Sequence, residues 1–169
     1  MEQYKEERGM KTLIVYDSVF GNTKNVAQAM QKALGTGAQV VKVNEVTAAH
    51  LQGLDLLIAG SPTRAFKATG AMSGFLRGIQ SRALKGVKVA AFDTRMYLPD
   101  VNNKFLNFMV GIFGYAAEPM AKKLTKKGGT EAIAPAGFFV KDSEGPMKDG
   151  EIERAAAWAA QAAGEGAAS

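Results

Sequence analysis

Between Asp17 and Thr23 the chain reads Asp-Ser-Val-Phe-Gly-Asn-Thr, and here its residue types first suggest chemistry. Ser18 and Thr23 carry hydroxyl donors, Gly21 lets the backbone approach a bound group, and Asn22 tolerates unusual dihedrals or caps a helix. Val19 and Phe20 complete the loop. Placed between a strand and a helix, such a segment offers unpaired amides and the positive end of a helix dipole to an anion. It suits a phosphate monoester. It is not the nucleoside-triphosphate loop, because no Gly-Lys-Ser/Thr ends it, nor the dinucleotide fingerprint, because it holds a single glycine. The same residues also suit an ordinary capped strand-to-helix turn.

Other chemistries are excluded by composition. The chain has no cysteine, so disulfides, thiolate metal sites and cysteine nucleophiles are absent, and the single His50 cannot build a metal cluster. Asp17 ends a strand as in phospho-accepting receiver domains, but the neighbouring acid pair that a magnesium site needs is missing. The net charge of +5 is concentrated: residues 56–127 hold twelve Lys and Arg but only Asp93, Asp100 and Glu118 as acids. That field attracts anions of any kind, and charge alone does not choose among a phosphorylated cofactor, an acidic protein and non-specific nucleic acid.

The elements that must position these residues follow a βα rhythm. Thr12 to Tyr16 is a short β-branched and aromatic run, suited to a strand buried on both faces. Val26, Ala27, Met30 and Leu34 recur at helical spacing and stop at Gly35 and Gly37. Strands are predicted at residues 39–43, 54–59 and 87–92, with a short helical piece at 47–52 and a helix face at Met72, Phe75, Leu76 and Ile79. Ala117, Met120, Ala121 and Leu124 mark a further helix. Pro135 and Gly137 interrupt the fifth strand between Ala132 and Val140, predicting a broken or edge strand. Ile152, Ala155, Ala156 and Ala159, with Asp149 as cap, mark the last helix, in which Trp158 packs. Alternation of this kind argues an α/β fold with a parallel, doubly wound sheet.

Ile14, Val15, Tyr16, Ser18, Gly21, Thr23 and Ala27 together resemble the flavodoxin signature. The resemblance continues in order through Gly60-Ser61-Pro62-Thr63, Phe92-Asp93-Thr94-Arg95, Gly137-Phe138-Phe139-Val140 and Glu144-Gly145-Pro146, and covers roughly residues 11 to 162. It implies a flavodoxin-like fold, a five-stranded parallel sheet in the order 2-1-3-4-5 with helices on both faces, and FMN as cofactor. The phosphate of FMN then falls to Ser18, Val19, Phe20, Gly21, Asn22 and Thr23. Two loops at the carboxyl ends of the strands flank the ring: Ser61, Pro62, Thr63, Arg64, Ala65 and Phe66, then Asp93, Thr94, Arg95, Met96 and Tyr97. Tyr97 is the expected stacking aromatic, with Phe66 the alternative. Flavodoxins often place a Trp in the first loop; Arg64 departs from that and brings the segment closer to the Pro-Thr-Arg loop of flavodoxin-like quinone oxidoreductases.

Arg64, Lys67, Arg95 and Lys104 are predicted at the mouth of the site, which is commonly acidic in electron-carrying flavodoxins. Positive charge there favours a higher reduction potential. Residues 101–113 (VNNKFLNFMVGIF) are apolar all round and sit where the resemblance thins. Such a stripe usually means a core helix packed on the sheet. Uncovered, it would serve as a substrate lid, an oligomer contact or a docking surface.

Two functions remain open at this point: an FMN electron-transfer protein, or an FMN-dependent oxidoreductase acting on a quinone or porphyrin precursor beneath that lid. A domain that has lost FMN is a third. The expected partners are an acidic redox protein or a small-molecule electron acceptor, with no specific nucleic acid and no membrane span. A cytoplasmic location, a frayed leader at 1–10, a binding domain at 11–163 and a frayed tail at 164–169 complete the expectations.

Overall fold

Residues 9–164 are described by the computed structural model; the expected leader, apart from Gly9 and Met10, and the expected tail, apart from Gly164, lie outside them. The run of β-branched residues near the start forms β1 (Thr12–Tyr16), every residue of it buried. Its side chains alternate, Leu13 and Val15 toward one face and Ile14 and Tyr16 toward the other. Around it lie β2 (Ala38–Lys42), β3 (Leu56–Pro62) and β4 (Lys88–Met96), all parallel, in the order β2-β1-β3-β4.

The fifth position is shared by two short strands. β5 (Thr130–Glu131) pairs with the start of β4 and β6 (Ala136–Val140) with its end, both parallel. Residues 132–135 break the edge, as Pro135 suggests, because proline has no amide for the ladder. Pairing with β6 also carries β4 to Met96, four residues past the expected end at Phe92.

Five α-helices follow among the described residues: α1 (Asn22–Leu34), α2 (Gly70–Gly78), α3 (Lys104–Phe113), α4 (Ala117–Lys126) and α5 (Glu151–Ala162). Helices α1 and α5 cover one face, where Val26, Met30, Ala155 and Trp158 pack with Ile14, Ile58, Phe92 and Phe138. On the other face Met72 and Leu76 of α2 and Met120 and Leu124 of α4 pack with Leu13, Leu57 and Val89. Helix α3 belongs to neither face: none of its residues is buried, and Phe105, Phe108, Ile112 and Phe113 are all more than half exposed. The core helix expected at 101–113 is therefore not formed. No helix among the described residues is long and apolar enough to cross a membrane.

The last helix is not capped by Asp149. Its N-cap is Gly150, at φ 84°, and no side chain bonds its first amides. The junction is held instead by Glu151, whose carboxylate accepts from the Phe139 amide of β6 at 2.8 Å and from Arg154 Nε at 2.9 Å and Nη2 at 2.6 Å. Burial alone would raise its pKa, but these bonds and the nearby Arg154 and Lys148 charges bring it below the ordinary carboxyl value. A lowered folded-state pKa gives stability that is present above the unfolded value and lost as pH falls through the folded one. Glu151→Gln is accordingly expected to cost about 1–2 kcal/mol at neutral pH, with variant and parent converging in acid. Urea unfolding at pH 7 and in acid checks both parts.

Candidate functional site

The loop between β1 and α1 opens at the carboxyl end of the sheet, beside the ends of β3 and β4. Gly21 takes φ 95°, in the left-handed region that favours glycine. Asn22, expected to tolerate unusual dihedrals or cap the helix, is the first residue of α1, and its side-chain Nδ2 donates to the Glu144 carbonyl at 3.1 Å. Ser18 Oγ accepts from the Gly21 amide at 3.1 Å and the Lys24 amide at 3.4 Å, so it caps α1 from outside the helix and keeps its own proton to donate. Among the described residues, the amides of Val19, Phe20, Asn22 and Thr23 find no acceptor. Four free donors at the amino end of a helix are the arrangement that receives an anion.

A cavity of about 380 Å³ extends from this cradle. Pro62, Thr63, Arg64 and Ala65 line one side, Thr94, Arg95 and Met96 another, and Val140 and Ser143 close it. Thr23, 1% exposed, shares a 2.8 Å hydrogen bond between its Oγ1 and that of Thr94, joining α1 to β4. The Thr63 amide donates to the Thr94 carbonyl at 3.0 Å, which holds the two walls together. Beyond them Arg64 and Lys67 exchange backbone hydrogen bonds of 2.7 and 3.0 Å around Ala65 and Phe66, at φ 47° and 70°. Two non-glycine residues in the left-handed region store about 1–3 kcal/mol each, so the turn is imposed by its surroundings. The Arg64 guanidinium stands 5.6 Å from the centroid of the Phe20 ring.

Beneath the second wall lies a buried ion pair. Asp93 is fully buried and accepts from Arg95 Nε at 2.6 Å and Nη2 at 2.7 Å, and from the Ala117 amide at 2.9 Å. A carboxylate from β4 thus caps α4, favourable at the positive end of a helix dipole. Burial pushes the Asp93 carboxyl pKa up, while Arg95, the Ala117 amide and the Thr63 hydroxyl pull against it. The Arg95 guanidinium lies 3.7 Å from the Tyr115 ring centroid, and a Cβ at Gly137 would fall 2.0 Å from Arg95 Nε. A side chain at that position would push the guanidinium off its Asp93 bonds. Burial in turn raises the Tyr115 pKa above the ordinary phenol value, the Arg95 charge pulling against it.

The flavodoxin domain model matches residues 13–138. The chain belongs to the flavodoxin family. Its fold is similar to a flavodoxin from the domain Archaea (TM-score 0.67, 20% identity, covering 92% of this chain and 97% of that one). It is also similar to oxidised Flavodoxin 1 from Bacillus cereus (0.67, 17%, 91% and 97%) and to a flavodoxin, WrbA-like protein from Agrobacterium tumefaciens (0.64, 18%, 93% and 99%). Comparison with curated proteins gives no match.

Flavodoxin membership implies flavin binding, and the residues present fit such a group. The cradle supplies donors without a fixed charge, and the cavity lies within the range of about 300–1,000 Å³ common for ligand sites. Among the residues expected to contact the cofactor, Ser18, Val19, Phe20, Asn22, Thr23, Pro62, Thr63, Arg64, Ala65, Thr94 and Arg95 border the cavity, and Gly21 makes its bend. Four do not. Ser61 is fully buried, and its Oγ accepts from the Thr69 amide at 3.0 Å to order the start of α2. Asp93 lies inside β4, as Thr94 and Arg95 do, but its carboxylate is taken up by Arg95 and the Ala117 amide. Phe66 lines a neighbouring cavity. Tyr97 is exposed, meets Phe139 edge to face at 5.0 Å and lies 4.2 Å from the Lys148 ammonium, outside the cavity lining, on which the aromatic is Phe20.

Met96, expected in the second loop, also lines the cavity, as do two residues not expected among the contacts, Val140 and Ser143. The late Gly137 to Pro146 resemblance pointed at the last two. The basic mouth is also thinner than expected. Arg95 is compensated by Asp93, Lys67 lines the neighbouring cavity and Lys104 lines neither, which leaves Arg64 as the one uncompensated charge on this lining among the described residues.

Proposed function

We propose that this chain binds FMN and passes electrons to a redox partner protein of acidic surface. The observation that carries the reading is the set of four unpaired amides with the Ser18 hydroxyl at the head of α1, opening into a cavity between two hydrogen-bonded walls. When bound, FMN supplies the one- and two-electron chemistry. Val19, Phe20, Asn22 and Thr23 would hold its phosphate through their amides and Ser18 through its hydroxyl. The segment from Pro62 to Ala65 after β3 and the end of β4 from Thr94 to Met96, with Val140 and Ser143, would hold the ring and exclude water from it. Ser61 and Asp93 act from beneath by fixing those loops. No carboxylate or imidazole lines the cavity among the described residues, which supports a carrier over an enzyme with its own acid or base.

Titration of the full chain with FMN and with riboflavin tests this, because the two ligands differ only in the phosphate. FMN is expected to bind far more tightly. Ser18→Asp, which sets a carboxylate in the cradle and removes the hydroxyl donor, should weaken FMN roughly a hundredfold and leave riboflavin little changed. Equal affinities for the two flavins would overturn the reading.

A further inference from the structure

Helix α3 is an apolar helix that the protein does not cover. Leu106, Met109 and Val110 are its half-buried residues, and Met109 and Phe113 line a second cavity of about 590 Å³ together with the 65–68 turn and α4. The Phe66 and Phe113 rings meet at 5.6 Å on one side of it, and the buried Met120 lines it as well. Helix α3 therefore lies over an apolar space rather than over a packed core. A molecule filling that space would supply the contacts the helix lacks.

The charge on this lining is of one sign. Lys67 is exposed and Lys123 half-buried, neither ammonium has an acceptor among the described residues, and no carboxylate is present on the lining. A neutral apolar ligand would leave these two cations unused, and a cationic one would be repelled. We propose that this second cavity binds an apolar acid: a molecule with a hydrophobic body held between Phe66, Met109, Phe113 and Met120, and a carboxylate or sulfonate paired with Lys67 and Lys123. Ala65 borders both cavities, so the bound acid lies beside the first site, across the strained turn. The site stands on its own geometry and does not depend on flavin in the first cavity.

Calorimetric titration with anilinonaphthalene sulfonate and with its uncharged parent, N-phenyl-naphthylamine, tests this in the full chain, both flavin-free and loaded with FMN. One sulfonate per chain is expected to bind, more tightly than the parent, in both states and without releasing FMN. Lys67→Met combined with Lys123→Met should weaken the sulfonate roughly tenfold and leave the uncharged probe unchanged. Phe113→Ala should weaken both. Equal affinity of the two probes, indifference to the lysine substitutions, or displacement of FMN by the sulfonate would overturn the proposal. So would a dimer in sedimentation that excludes the probe, or adsorption of the chain to anionic vesicles with no one-to-one probe binding.

Discussion

Replacing Asp93 by alanine is expected to destabilise the fold by about 3–5 kcal/mol. The substitution removes both Arg95 hydrogen bonds and the acceptor of the Ala117 amide, and it leaves a guanidinium with 18% of its surface exposed and no counter-charge. At roughly 2–4 °C per kcal/mol for a chain of this size, the melting temperature should fall by about 10 °C. Adding Arg95→Met is expected to recover part of the loss, since the uncompensated charge goes with it. Thermal and urea unfolding of the two single variants and the double variant would read the coupling directly. A single variant that melts with the parent would show that the pair does not hold the wall.

Gly60→Ala should be nearly as damaging, for a steric reason. Gly60 stands opposite Phe92 in the β3–β4 register, and a Cβ there would lie 2.0, 2.3 and 2.5 Å from three atoms of the Phe92 ring. That ring cannot step aside. It is fully buried, with Phe138 at 5.9 Å and Trp158 at 6.1 Å between centroids. Overpacking typically costs about 1–3 kcal/mol, and conflict with a wedged ring places this case at the top of that range. The Gly60 carbonyl also accepts from the Asp17 amide at 3.0 Å, so a backbone shift reaches the loop between β1 and α1. Flavin affinity should therefore fall in the part of the population that remains folded. Phe92→Leu in the same chain is expected to restore stability in part, which unfolding curves with flavin titration would check.

How much of this was legible in the chain follows from the range of the interactions concerned. The buried strands, the helix stripes, the break before Gly137 and the strand-to-helix loop at Ser18 are local patterns of two to seven residues, and local patterns survive without knowledge of neighbours. The parallel order followed from the βα alternation together with the flavodoxin resemblance. Helix α3 shows the limit of that reasoning. Its apolar spacing is that of a core helix, yet burial depends on whether another element faces it, and the chain places a cavity there instead of a sheet.

The sequence by itself determined the fold class and the places of the loop ahead of α1 and of the two segments beside it, because strand periodicity, glycine placement and hydroxyl spacing act over short distances. Which side chains reach the cavity was decided only by tertiary structure. Pairing with β6 carried Asp93 into the sheet interior, where α4 brought an amide to meet it. Tyr97 meets Phe139 from β6 and lies off the cavity lining. The partner of a charge or a ring comes from a distant part of the chain, and the free energy of burying it is known only once that partner is in place.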